Sequence, residues 1–184
     1  MTSTESRQSS AAEPSAEQIF VVRAAHANEL AAVGRLTELA YRADGHLEGD
    51  THYAATLRDA AARAAQAELW VAADGQGSTV LGSVTYCQRG SPLRELAVRR
   101  HQAEFRMLAV DPAARGRGVG RALVQTCIER ARSESAQELV ICSMTAMKSA
   151  HRLYESLGFL RAPDLDWRPV PAVLLQGFRL PLRS

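Results

Sequence analysis

Apolar positions follow two rhythms along this chain. Ile19-Phe20-Val21-Val22-Arg23-Ala24 is short and β-branched, which predicts a strand. Asn28 is placed to cap a helix in which Leu30, Val33, Gly34, residues 36–40 and Tyr41 recur near every 3.6 residues. Gly45 and Gly49 break that pattern. A second helix is predicted after Asp50-Thr51, with Tyr53, Leu57, Ala60, Ala61 and Ala64 on one face. Residues 69–72 and 80–87 then read as a hairpin around the turn Asp74-Gly75-Gln76-Gly77-Ser78. Residues 89–103 are irregular, with Ser91-Pro92 suited to start a short helix. A strand over 104–110 is stopped by Asp111-Pro112. The next helix carries the stripe Val119, Leu123, Val124, Cys127, Ile128 and Ala131. A strand at 139–142, a helix over 148–157 ended by Gly158, and strands at 159–161 and 173–180 complete the order.

Residues 1–18 are small, polar and acidic without apolar period, so they read as a disordered tail ahead of a single domain over 19–184. The 184-residue chain is 46% hydrophobic, enough to fill one mixed α/β core. Its formal charge of +2 demands neither nucleic acid nor a membrane surface as partner, and aromatic residues make up only 5%, too few for a base-stacking platform. No apolar run suits a membrane span, and no secretory signal is recognisable, so a cytoplasmic location is expected. Cys87, Cys127 and Cys142 form no C-x-x-C pair, and His26, His46, His52, His101 and His151 show no ligand spacing, so no metal is expected. Cys127 and Cys142 fit apolar patterns. Cys87, near a strand end, has room to reach solvent, but nothing around it suggests activation.

Chemistry concentrates between residues 104 and 120, where a strand, a tight loop and a helix follow one another. The first amides of a helix lack internal partners and favour an anion. Gly116, Gly118 and Gly120 allow close approach to that main chain, and Arg115, Arg117 and Arg121 add charge. The glycines alternate as G-x-G-x-G, and no Lys-Ser/Thr pair follows, so this is neither a Walker loop nor G-x-G-x-x-G. A pyrophosphate held mainly by backbone fits the pattern. A tightly packed helix start with three solvated arginines fits it as well.

The surroundings favour the first reading. Arg115-Gly116-Arg117-Gly118-Val119-Gly120 is similar to the [QR]-x-x-G-x-[GA] motif of the GNAT superfamily of acyl-CoA-dependent N-acyltransferases. Ala150-His151-Arg152-Leu153-Tyr154-Glu155-Ser156-Leu157-Gly158-Phe159 resembles that family's next segment, at a fitting distance. The resemblance implies a mixed sheet of about six to seven strands with about four helices, splayed at the cofactor site. It implies acetyl-CoA as co-substrate, with its pantetheine arm on the main chain of Leu108, Ala109 and Val110. The pyrophosphate would lie on the loop from Arg115 through Gly116, Arg117, Gly118, Val119 and Gly120 to Arg121. Where many members carry Asn this chain has Met147, so the contact is either lost or moved to Ser149.

The implied reaction is attack of a primary amine on a thioester. An alkylamine of pKa 10.4 is only about one part in 2,500 neutral at pH 7, so a base is useful. By resemblance Glu104 is that base, the Leu108 N–H is the oxyanion donor, and Tyr154 is the acid that protonates the leaving thiolate. Taken alone, Glu104 is equally a solvated carboxylate at a strand entrance, and Tyr154 a helix tyrosine packed beside a cofactor. Tyr41, His52 and Tyr53 fall where relatives line the acceptor pocket. The basic insert 89–103 either borders that pocket or is a solvated loop. A homodimer is common among relatives. The competing reading is a non-catalytic acyl-CoA sensor.

Overall fold

The computed structural model describes residues 20–47 and 51–182. The predicted tail over 1–18, Ile19 and the Gly49-Asp50 pair lie outside them. Strand β1 (Phe20–Ala24) leads to α1 (Leu30–Ala43), α2 (Thr51–Arg58) and α3 (Ala60–Ala64). Then come β2 (Glu68–Asp74), β3 (Val80–Cys87), β4 (Gln102–Val110), α4 (Val119–Ser133), β5 (Glu138–Met144) and α5 (Lys148–Ser156). The chain closes with β6 (Leu160–Arg161), β7 (Trp167–Val170) and β8 (Val173–Pro181). The sheet order is β1-β2-β3-β4-β5-β8-β6, and β7 also pairs with β8. This is the mixed open sheet that the motifs imply, with eight strands among the described residues rather than six or seven.

Alternation along β2 shows how the sheet is covered. Leu69 and Val71 pack with Val33 of α1 and Ala60 of α3. Trp70 and Ala72 face the opposite core, with Val119, Leu123, Val124, Cys127, Ile128 and Ala131 of α4. All six residues of that predicted stripe are buried. Glu38 of α1 clamps α2 to it: one oxygen accepts from Arg42 Nη2 at 2.7 Å, the other from Arg58 Nε. A hydrogen bond from Arg42 holds the Glu38 carboxyl below its usual value. Gly34 stands where α1 touches the last residue of α2, and a Cβ there would collide with the Arg58 carbonyl oxygen. Gly→Ala inside a helix ordinarily gains about 1 kcal/mol. Here the collision outweighs that gain, and Gly34→Ala should destabilise by about 1–3 kcal/mol in a denaturant titration.

Four readings need correction. Asn28 lies inside a 3-10 turn, Ala27–Glu29, and α1 begins at Leu30 without a side-chain cap. The second helix is two helices, because Asp59 turns the chain and caps α3 through Ala62 N at 2.8 Å. Ser91-Pro92 starts no helix: Ser91 Oγ accepts from Leu93 N, and the amides beyond it are bound elsewhere. Cys87 is buried, and burial pushes its thiol up to about 12.

Candidate active site

β4 and β5 run parallel and pair only at Gln102↔Glu138, Ala103↔Leu139 and Glu104↔Val140. Beyond that point the ladder stops, although β4 continues to Val110 and β5 to Met144. The far edges of both strands stay paired, β4 to β3 and β5 to β8. The two facing edges therefore open into a notch, as the motifs imply. At the mouth of the notch β4 is irregular. Its register with β3 shifts between Ser83 and Thr85, opposite Met107, which adopts φ +51°. A methionine in the left-handed region is strained, and such bulges re-aim the residues that follow. The bulge puts Met107 in a cluster with Leu47, Ala54 and Leu57, beside Tyr41 and Tyr53, while Leu108 packs toward the α4 side.

After β4, Asp111 caps a 3-10 turn through Ala113 N, and the loop rises to Gly118. Gly118 is the N-cap of α4 at φ +82°, and no side chain caps the helix. The first helical hydrogen bond at this end is Ala122 N to Gly118 O. The amides ahead of it border a cavity of about 620 Å³. Its walls hold Leu108, Ala109, Val110, Arg115, Gly116, Gly118, Val119, Gly120, Arg121 and Ser149. Every candidate cofactor residue except Arg117 is thus gathered in one place; Arg117 is exposed and outside the wall. An open strand edge leading to uncapped amides suits an extended thioester arm followed by a diphosphate. Arg115 is less free than its position in the motif suggests. Both its Nη atoms donate to Asp44 at the end of α1, at 2.8 and 3.0 Å.

Glu104 and Tyr154 are not part of that wall. Glu104 is 1% exposed, and its Oε2 accepts from the amides of Glu95, Leu96 and Ala97 at 3.0, 2.9 and 3.0 Å. Burial raises its pKa, outweighing those bonds and the nearby Arg106, which favour the ionised form. Arg106 pairs with Glu95 at 2.7 Å and donates to the Leu93 carbonyl. Tyr154 is packed edge-on to Phe105 and tilted against Phe159 and Phe178. Burial pushes its phenol well up, so it is neutral across the physiological range. Burial chiefly raises the phenol of Tyr41, a wall residue, with Tyr53 and then Tyr154 adding to it.

Of the acceptor candidates, Tyr41 and Tyr53 meet in a T-shaped pair with ring centroids 6.1 Å apart, whereas His52 is exposed. In the basic insert, Arg89 and Arg94 brace the loop's own carbonyls, of Arg100, Arg99 and Gln102. Cys142, at the opening of β5, accepts from Trp167 Nε1 at 3.5 Å, and burial raises its thiol to about 11. Sequence reasoning missed Met107, Lys148 of the cavity wall and Arg63. Arg63 is 3% exposed and donates to Thr85 Oγ1, Thr37 Oγ1 and the Leu57 carbonyl. Lys148 was legible as a cation heading the second motif. Nothing in the local pattern marks the other two.

A profile described as "Acetyltransferase (GNAT) family" matches residues 35–159. A GCN5-related N-acetyltransferase from Kribbella flavida is 30% identical, covers 91% of this chain and all of its own, and superposes with a TM-score of 0.65. The protein yncA of Salmonella typhimurium, solved with its cofactor acetyl-CoA, shares the fold at 22% identity. That match covers 90% of this chain and 95% of its own, with a TM-score of 0.63. N-acetyltransferase 8B of Rattus norvegicus is 32% identical over 105 residues, 55% of this chain and 45% of its own. The chain spans less than half the length of the curated relatives it matches first.

Proposed function

Since this chain belongs to the acetyltransferase (GNAT) family, we propose that it transfers an acetyl group from acetyl-CoA directly to a primary amine. The observation that carries the reading is one cavity joining the unpaired β4 edge at Leu108, Ala109 and Val110 to the uncapped start of α4. The diphosphate sits on the amides of Val119, Gly120 and Arg121, and the β4 main chain guides the pantetheine arm. Val119 and Gly120 supply donors there without side-chain bulk at Gly118 or Gly120.

The chemistry then falls to four groups. The amine nitrogen attacks the thioester carbon, and its surplus proton passes through water to the Glu104 carboxylate, made more basic by burial. The Leu108 N–H donates to the oxyanion as it forms, an interaction worth roughly 3–4 kcal/mol where such donors have been removed. The C–S bond breaks, and the Tyr154 hydroxyl protonates the leaving thiolate. No cysteine forms an acyl intermediate, consistent with Cys87, Cys127 and Cys142 all being held as thiols by burial. The Tyr41–Tyr53 pair borders the amine on the α1–α2 side. Among the described residues no helix is long and apolar enough to cross a membrane.

The test is release of the coenzyme A thiol from acetyl-CoA with a panel of primary amines, with the amide product identified by mass. Saturable acetyl-CoA binding without release for any amine would instead identify a sensor. Gly118→Leu serves as a companion. It forces a side chain into the φ +82° cap and over the amides, and should weaken acetyl-CoA binding by about a hundredfold in calorimetry, through strain and steric exclusion.

A further inference from the structure

We propose that Lys148, Arg121 and Arg152 form a second phosphate subsite, on the α4–α5 rim of the cavity, that reads the 3′-phosphate of coenzyme A. The inference rests on the acetyl-CoA reading above and adds to it the part of the nucleotide that is recognised by charge. Coenzyme A carries two separate anionic groups: the diphosphate and a monophosphate on the ribose. The loop amides account for the first and leave the second without a receptor.

The distribution of compensated and uncompensated cations points to where that receptor is. Arg115, the loop arginine nearest α1, is neutralised by a two-bond pairing with Asp44, and Asp44 itself lines that end of the cavity. A dianion is disfavoured there. Elsewhere Arg106, Arg130, Arg161 and Arg179 each hold a carboxylate. Among the described residues Lys148, Arg121 and Arg152 have no acidic side chain within 4.0 Å, a state they share with Arg117, Arg132 and other arginines that do not line the cavity; their place on its rim sets them apart. Lys148 and Arg121 line the cavity, as does Ser149, to which Arg152 Nη2 donates at 3.1 Å. Arg121 Nη2 donates to Ser156 Oγ at 2.8 Å. Both guanidinium groups are thus oriented by neutral hydroxyls, which fix their direction and leave their charge unpaired. Positioned, unneutralised cations beside a cavity are what a phosphate dianion needs.

The experiment is calorimetric binding of coenzyme A and 3′-dephospho-coenzyme A to the full chain, its Lys148→Met variant and its Lys148→Arg variant. Lys148 is exposed at the first position of α5, so these substitutions leave the core intact. The wild type should bind coenzyme A about tenfold or more tightly than the dephospho form, the effect of one or two charge-assisted hydrogen bonds. Lys148→Met should bring the ratio toward one, and Lys148→Arg should restore most of it. Raised salt should narrow the wild-type ratio. Equal wild-type affinity for the two nucleotides overturns the subsite and leaves the acetyl-CoA reading standing. A tenfold preference that survives Lys148→Met and the double variant Arg121→Gln/Arg152→Gln overturns the assignment to these residues. Failure of both nucleotides to bind overturns the subsite together with the reading beneath it.

Discussion

Tyr154→Phe should lower turnover by about a hundredfold or more while the acetyl-CoA dissociation constant stays within about twofold. The expectation comes from two features. The ring is fixed by Phe105, Phe159 and Phe178, so phenylalanine keeps the packing, and only the hydroxyl is lost. Burial also raises the phenol, so the wild-type hydroxyl carries its proton when the thiolate departs. Presteady-state CoA release, compared with calorimetry on the same variant, checks the split. Unchanged turnover would assign the proton to solvent and leave Tyr154 a packing residue.

Glu104→Ala should be the most destabilising single substitution at the site. It orphans the amides of Glu95, Leu96 and Ala97 in a buried loop. At about 1–3 kcal/mol for each unsatisfied group, the total reaches at least 3 kcal/mol. That lowers the midpoint of thermal unfolding by about 10 °C in a domain of this size. Glu104→Gln keeps an amide oxygen for those donors, so it should recover most of the stability without recovering activity. The two readouts separate the carboxylate's hold on the loop from its proposed work as a base.

The same carboxylate sets a pH dependence. Its pKa is raised above the ordinary 4.5, chiefly by burial. Its neutral form is therefore favoured in the fold, and its contribution to stability is complete below the unfolded value. That contribution fades as pH climbs through the folded value. Wild-type stability relative to Glu104→Gln should accordingly fall on passing upward through the weakly acidic range. Catalysis runs the other way. The base must be ionised, so the acid limb of kcat/KM should lie above pH 4.5 and vanish in Glu104→Gln.

Local pattern carried much of the architecture because several elements are specified by local rules. The stripe of α4 has the helical period over a long run, and the start of α4 at Gly118 and the end of α5 at Gly158 are marked by glycines at positive φ. The notch was legible only through the motifs, since nothing in residues 104–110 says that their ladder stops at Glu104. What could not be read depends on distant partners. No helix forms at Ser91-Pro92, because the amides that would continue it bind the Glu104 carboxylate. The break between α2 and α3 turns on Asp59 within an alanine-rich run whose propensity is uniformly helical. β7 contains Pro169, which argues against a strand, and it survives as the short outer arm of a hairpin on β8. The Met107 bulge has no sequence signature, because methionine is not a residue that favours positive φ.

Nitrogen-15 spectra of the labelled protein, titrated with acetyl-CoA, address the shared cradle most directly. The account predicts saturable shifts at one dissociation constant for the amides of Val119, Gly120 and Arg121 and for those of Leu108, Ala109 and Val110. Spectra in which these six resonances stay in place at millimolar acetyl-CoA would contradict it.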